Sequence, residues 1–193
     1  GYGGFNVNNT PAFSTLATTW LESGGVFAVA NMRGGGEFGE EWHQAGMLEH
    51  KQNVFNDFIA AAEHLIAEGY TTAEHLSIRG GSNGGLLVGA VSNQRPDLFG
   101  AVVCTYPLLD MVRYHQFLVA SFWVPEYGSS DDPDQFAYIR AYSPYHNVID
   151  GGQYPATLYL SGDGDTRVAP LHARKMTALM QATNGSDNPI LLR

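Results

Sequence analysis

"SIRGGSNGGLLVGAV", residues 77–91, sets one serine between two pairs of glycines, where a short apolar run gives way to a helix-like one. Glycine supplies backbone freedom at the cost of order, so four of them around Ser82 mark a turn too tight for side chains. The spacing Gly80-x-Ser82-x-Gly84 fits a nucleophile elbow: a strained strand-to-helix turn lifts a serine hydroxyl clear of a sheet while its neighbours shrink to let the backbones pass. The plainer reading is a flexible glycine-serine loop, but such loops do not usually join a good strand to a good helix. An elbow requires a sheet below it, and an acid and a base beside it.

The flanking sequence predicts that sheet. Strand-like runs fall at "GGVFAVANMR" (24–33), "HLSIRG" (75–80), "AVVCTY" (101–106) and "ATLYLSG" (156–162), each short, apolar or β-branched, and closed by turn residues. Their near-continuous apolar character predicts strands covered on both faces. Helix-like segments lie between them: residues 53–69, with Val54, Phe58, Ala61, Ala62, Leu65 and Ile66 on one face, then residues 85–94 and 171–185. Gly69 and Gly185 supply stop signals. This alternation implies an α/β fold with a mainly parallel sheet and helices on both faces. Residues 107–155 are less regular, rich in aromatics and prolines ("FWVPEYGSSDDPDQF"), and are expected to form an irregular helical cap at the sheet edge near the site. The final "NPILLR" begins like another strand and stops without a turn, so residues 1–193 read as one domain cut at both ends, a partial catalytic domain.

With 193 residues and 44% hydrophobic content, the chain can bury one sizeable core. Ten basic against 19 acidic residues leave a net charge of −9, which argues against nucleic acid as a partner. No apolar run is long enough to span a bilayer, and "GYGGFNVNNT" has neither an initiator methionine nor the regions of a signal peptide, which leaves the compartment open. Cys104, the single cysteine, sits in the apolar run "AVVCTYP" and is expected to pack rather than react.

A serine hydroxyl is a poor nucleophile until a base takes its proton, and the base needs a third group to orient it. In α/β-hydrolase topology the order along the chain is serine, acid, histidine, with the acid on a loop after a later strand. "LYLSGDGDTRVAP" supplies that loop at Asp163 and Asp165; Asp165, 83 residues beyond Ser82, is further into the loop and nearer the following helix. The two aspartates lack the other oxygen ligands of a calcium loop, so no metal is expected. Gly34-x-Gly36-x-x-Gly39 superficially matches a dinucleotide-binding turn, but Glu37, Glu40 and Glu41 would repel a pyrophosphate; a structural glycine loop is the better reading. Of seven histidines only His172 follows Asp165, and its place at the opening of a helix makes it an awkward base. The expected base is a histidine beyond Arg193.

"GYGGF", "ANMRGGGEFGEEWH", "KQNVFNDF", "GGSNGG", "NQRPDLFG", "YSPYHNV" and "GDGDTRVAPLHARK" follow one another along nearly the whole chain. Together they resemble the catalytic α/β-hydrolase domain of the prolyl oligopeptidase family of serine peptidases. The resemblance implies Ser82 as nucleophile and Asp165 as triad acid, with the histidine in a "GHG"-type segment that residues 1–193 do not contain. It implies the Tyr2 hydroxyl and the Asn83 backbone N–H as oxyanion donors. Trp123, Phe5, Tyr127, Leu108 and Val168 match the lining of the pocket for the residue before the cut, and Arg167 matches an arginine that binds a substrate carbonyl. Taken alone, Trp123 reads more readily as a packed core aromatic, although a flat ring also suits proline, which is apolar and lacks an N–H. The implied partners are short proline-containing peptides and an N-terminal β-propeller of the same full-length chain, with no cofactor. A basic-specific relative similar to oligopeptidase B is the alternative, because Glu126 lies close to Trp123 in sequence. A non-catalytic hydrolase-like binding module is the second.

Overall fold

The computed structural model describes all of residues 1–193. Three helices precede the first strand: α1 (Thr15–Glu22), α2 (Glu40–Gln44) and α3 (Gln52–Ala67). There follow β1 (Ser77–Gly81), α4 (Asn83–Gln94), β2 (Ala101–Thr105), α5 (Val124–Tyr127), α6 (Pro133–Tyr142), β3 (Ala156–Leu160), α7 (Leu171–Thr183) and β4 (Ile190–Leu192). The four strands form one sheet in the order β1-β2-β3-β4, and every pair is parallel. The register sets Gly80 beside Cys104 and Cys104 beside Tyr159.

Parallel neighbours need crossover connections, and these are right-handed almost without exception. A strand order that advances steadily in one direction therefore sends each crossover over the same face. Burial agrees. Ile78, Val102, Cys104, Thr157 and Tyr159 are buried on that face, while Ser77, Arg79, Val103, Leu158 and Leu160 on the other are exposed or half-buried. Helix α4 packs on β1 and β2, α7 on β3 and β4, and α3 on α4. The parallel α/β sheet is thus as expected, but within these residues helices cover one face and not both. The apolar runs hide a period of two, because Val103 and Leu158 are half-covered and still apolar.

Helix α4 is buried along almost its whole length, from Asn83 to Asn93, as the all-round apolar character of "GLLVGAV" requires. In α3 the buried residues are Val54, Phe55 and Ala62, so the inward stripe includes Phe55, and Phe58, Ala61, Leu65 and Ile66 flank it half-buried. Gly69 closes this helix with φ +75 and a hydrogen bond from its N–H to the Ile66 carbonyl at 3.1 Å. Helix α1 had no sequence signal: none of its residues is buried, and it starts on Ser14, whose hydroxyl accepts from Ala17 N–H at 3.3 Å.

The run 24–33 is extended but is not a strand, which corrects the sequence reading. Strand assignment needs a ladder, and Phe27 to Asn31 take part in no backbone hydrogen bond. Beside β1 it is the Gly1 nitrogen that donates to Arg79 O, at 2.8 Å. Residues 34–39 form the structural glycine loop expected: Gly34 O accepts from Asn6 N–H at 3.3 Å and Gly36 N–H donates to Val7 O at 3.1 Å, so this loop holds residues 3–7 in place. The irregular region becomes a cap of short helices. Asp132 caps α6 by accepting from Asp134 N–H, and Asn147 ties the end of α6 by donating to the carbonyls of Arg140 and Ser143 at 2.9 and 2.8 Å. Cys104 is fully buried, and burial alone pushes its thiol far above the ordinary range, so it packs and does not react.

Candidate active site

Ser82 follows β1, Leu108 follows β2 and Asp165 follows β3, so all three lie at the C-terminal edge of one parallel sheet. Ser82 carries φ +57 and ψ −119, a conformation that costs a residue with a side chain on the order of 1–3 kcal/mol. The elbow is clamped from both sides: Ser82 N–H donates to Thr105 O at 2.9 Å, and Ser82 O accepts from Gly85 N–H at 2.8 Å and Leu86 N–H at 3.1 Å. A Cβ on Gly80 would collide with the Gly84 carbonyl, and one on Gly84 with the Gly1 carbonyl. Those two approaches explain the glycines on either side of the serine.

The second approach brings residues 1–5 onto the elbow. Asn83 Nδ2 donates to Tyr2 O at 2.7 Å, and Phe5, at φ +56, directs its N–H to Glu126 Oε1 at 2.9 Å. A cavity of about 160 Å³ results, lined by Tyr2, Phe5, Val7, Ser82, Leu108, Trp123, Tyr127 and Arg167. That is smaller than the ~300 Å³ and upward of a drug-sized pocket, and it suits one side chain. Phe5 stands edge-on to Tyr127 with centroids 5.4 Å apart, and the Arg167 guanidinium lies 5.7 Å from the Trp123 ring centre. Burial raises the Tyr2 phenol above its ordinary range, with Arg167 opposing the shift, so its hydroxyl stays protonated and able to donate at neutral pH.

Asp163 and Asp165 separate sharply. Asp163 is 94% exposed and pairs only with Arg174, at 2.6 Å. Asp165 Oδ1 accepts from the N–H groups of Arg167 and Val168 at 2.8 and 2.9 Å, which fixes the carboxylate, while Oδ2 has no partner. The same turn presents Arg167 to the cavity. Val168 does not line the cavity: its side chain enters the core, with 4% exposure, and only its backbone serves the site, through Asp165.

Residues 11–193 match the model of the prolyl oligopeptidase family. The chain belongs to that family. It is 47% identical over its full length to the prolyl endopeptidase of Elizabethkingia miricola, of which it covers 27%, and 50% identical to that of Dictyostelium discoideum, of which it covers 26%. It superposes with a TM-score of 0.98 on a solved structure from a study of two prolyl endopeptidases, at 56% identity, covering all of this chain and 28% of that one. The chain thus spans about a quarter of the length of the curated relatives it matches.

Within this prolyl oligopeptidase domain, no histidine lines the cavity. His172 is buried in α7, its Nδ1 accepting from Asp110 N–H at 3.1 Å and Leu109 N–H at 3.4 Å; burial lowers its pKa to about 4, against the pull of Asp110. It is a neutral strut beneath the Leu108 loop. Sequence reasoning missed Val7, Lys51 and the orientation of Glu126. Glu126 is 5% exposed and points away from the cavity: Oε1 accepts from Phe5 N–H, and Oε2 meets His43 Nε2 at 2.9 Å. Lys51, 1% exposed, lies 3.7 Å from the same carboxylate.

Proposed function

We propose that this chain carries the catalytic site of a serine endopeptidase that hydrolyses short peptides on the carboxyl side of proline. One observation carries the reading: Ser82 and Tyr2 open onto the same small apolar cavity, walled by Trp123, Phe5, Leu108 and Tyr127 and without a carboxylate. A proline ring offers apolar faces and no N–H, so an aromatic slot satisfies it with no hydrogen-bonding demand. In the proposed chemistry Ser82 Oγ attacks the prolyl carbonyl carbon as a base takes its proton, and the developing oxyanion accepts from Asn83 N–H and Tyr2 OH. The proton then passes to the leaving amine, and water hydrolyses the acyl-enzyme. The base is a histidine from outside residues 1–193, whose ring N–H donates to the free Oδ2 of Asp165. Arg167, exposed at the cavity rim, binds a substrate carbonyl. The chemistry draws on no cofactor or metal. A β-propeller in the same full-length chain, restricting entry to short peptides, belongs to this proposal on the strength of the resemblance alone.

The basic-specific alternative needs a free carboxylate in the slot, and Glu126 is already engaged by Phe5, His43 and Lys51. The deciding experiment compares kcat/KM in the full chain for substrates identical except for proline or arginine before the cut. Proline is expected to lead by at least about 10²-fold, because arginine would leave its charge unpaired among apolar walls. A preference for arginine that Glu126→Gln abolishes would establish the alternative, and failure of Ser82 to react with a fluorophosphonate would leave only a binding module. Tyr2→Phe removes one oxyanion donor and leaves the ring in the cavity wall. Its kcat is expected to fall by about 10²–10³ with KM little changed, and equal losses in kcat and 1/KM would count against the donor role.

A further inference from the structure

Behind the cavity lies a buried polar cluster that the reaction as described does not use. Lys51 Nζ donates to Gly3 O at 3.1 Å and to Asn83 Oδ1 at 3.2 Å, and stands 5.3 Å from the centre of the Tyr127 ring. Asn83 Oδ1 also accepts from Tyr127 OH at 2.7 Å, while Nδ2 holds Tyr2 O. Three separate segments therefore meet at one ammonium: the loop carrying Tyr2, the elbow carrying Asn83, and α5, which supplies Tyr127 to the cavity wall and sets Glu126 behind it.

Burying an ammonium is unfavourable, and apolar groups of similar volume commonly replace a buried ion pair with no loss of stability. Packing alone does not explain a lysine here. On the proposed function, the two oxyanion donors sit on different segments, and the Asn83 side chain is the link between them. We propose that Lys51 is the positioning residue of the oxyanion site: it ties the Tyr2–Gly3 backbone to the Asn83 side chain, and so fixes the separation of the Tyr2 hydroxyl from the Asn83 N–H. This rests on the serine-peptidase reading of the cavity.

The lysine must be charged to satisfy Glu126 and both carbonyl acceptors together. Burial lowers its pKa to about 8, while Glu126 pulls it back up. The charged form is thus present below that pH and lost as pH rises through it. Besides Glu126, the groups facing it are Tyr127, kept neutral by burial, and His43, on the far oxygen of Glu126. Tyr2, on the loop held through Gly3, likewise stays protonated. Removing the Glu126 charge leaves burial unopposed and moves the loss of the ammonium to lower pH.

The test is made in the full chain with a chromogenic prolyl substrate, with folding checked by thermal unfolding. Lys51→Met is expected to lower kcat on the order of 10²-fold, the effect of a displacement of about 1 Å at a reacting centre, with KM within about threefold because the cavity walls remain. Glu126→Gln, which keeps an acceptor for Phe5 N–H, is expected to move the alkaline limb of the kcat profile to lower pH. A merely structural lysine would leave that limb in place. A folded Lys51→Met variant within about twofold of the parent kcat overturns the proposal, as does an unmoved limb in Glu126→Gln, which decides the matter if Lys51→Met does not fold. A parent chain that neither turns over the substrate nor reacts at Ser82 removes the peptidase reading instead, and this inference with it.

Discussion

Ser82→Ala in the full chain should reduce turnover of a prolyl peptide by about 10⁶-fold, the cost of removing the nucleophile from a triad that acts as a unit. Peptide binding should persist. The Ser82 hydroxyl makes no capping hydrogen bond to α4, and the clamps on the elbow run through its backbone, so alanine removes the attacking oxygen and little else. The cavity walls remain, as do the proposed oxyanion donors Tyr2 and Asn83, and any residual rate comes from them. Single-turnover kinetics with equilibrium binding of the same peptide provides the measurement. A variant that turns over within about tenfold of the parent would sink the assignment of Ser82 as nucleophile.

Asp165→Asn should follow with a loss of about 10⁴-fold in kcat. The substitution is isosteric, and the amide oxygen can still accept from the N–H groups of Arg167 and Val168. The change falls on Oδ2, where an acceptor becomes a donor. A histidine placed there would be held in the tautomer that cannot take the serine proton. Asp163→Asn is the paired control, because that side chain is solvent-exposed and its one ion pair, to Arg174, is a surface contact worth little. Equal losses in the two variants would show that the loop as a whole, and not the Asp165 carboxylate, supports activity.

Of the parts that position this chemistry, the elbow was legible because its cause is local. Gly80 and Gly84 lie within two residues of Ser82, and the apolar character of the following helix declares its burial. Asp165 was legible for a similar reason: an acidic, glycine-spaced turn between a strand and a helix. The run 24–33 shows the limit of such reading. Its residues suit a strand, but a strand exists only where a partner supplies the ladder. Within residues 1–193 the coverage of the sheet was unreadable on the same grounds, because a half-exposed Val103 or Leu158 looks the same in sequence as a buried one.

The cavity itself required the folded chain. Tyr2 and Phe5 reach Ser82, Leu108, Trp123 and Arg167 across most of the sequence, and no periodicity or spacing connects them; only the resemblance to a family named them in advance. Even that resemblance placed Val168 in the wall, where its side chain turns into the core. Lys51 and Glu126 were unreadable for a physical reason. Charged residues are normally solvated, and each is buried here only because its partners come from distant segments, Gly3 and Asn83 lying 48 and 32 residues from Lys51. What the sequence by itself determined was the parallel α/β framework, the strained serine turn and the acid loop, all set by neighbours along the chain. The tertiary structure alone decided which aromatics face the serine, that Glu126 turns away from them, and that one buried ammonium joins the segments bearing Tyr2 and Asn83, because long-range burial and pairing are properties of the assembled core.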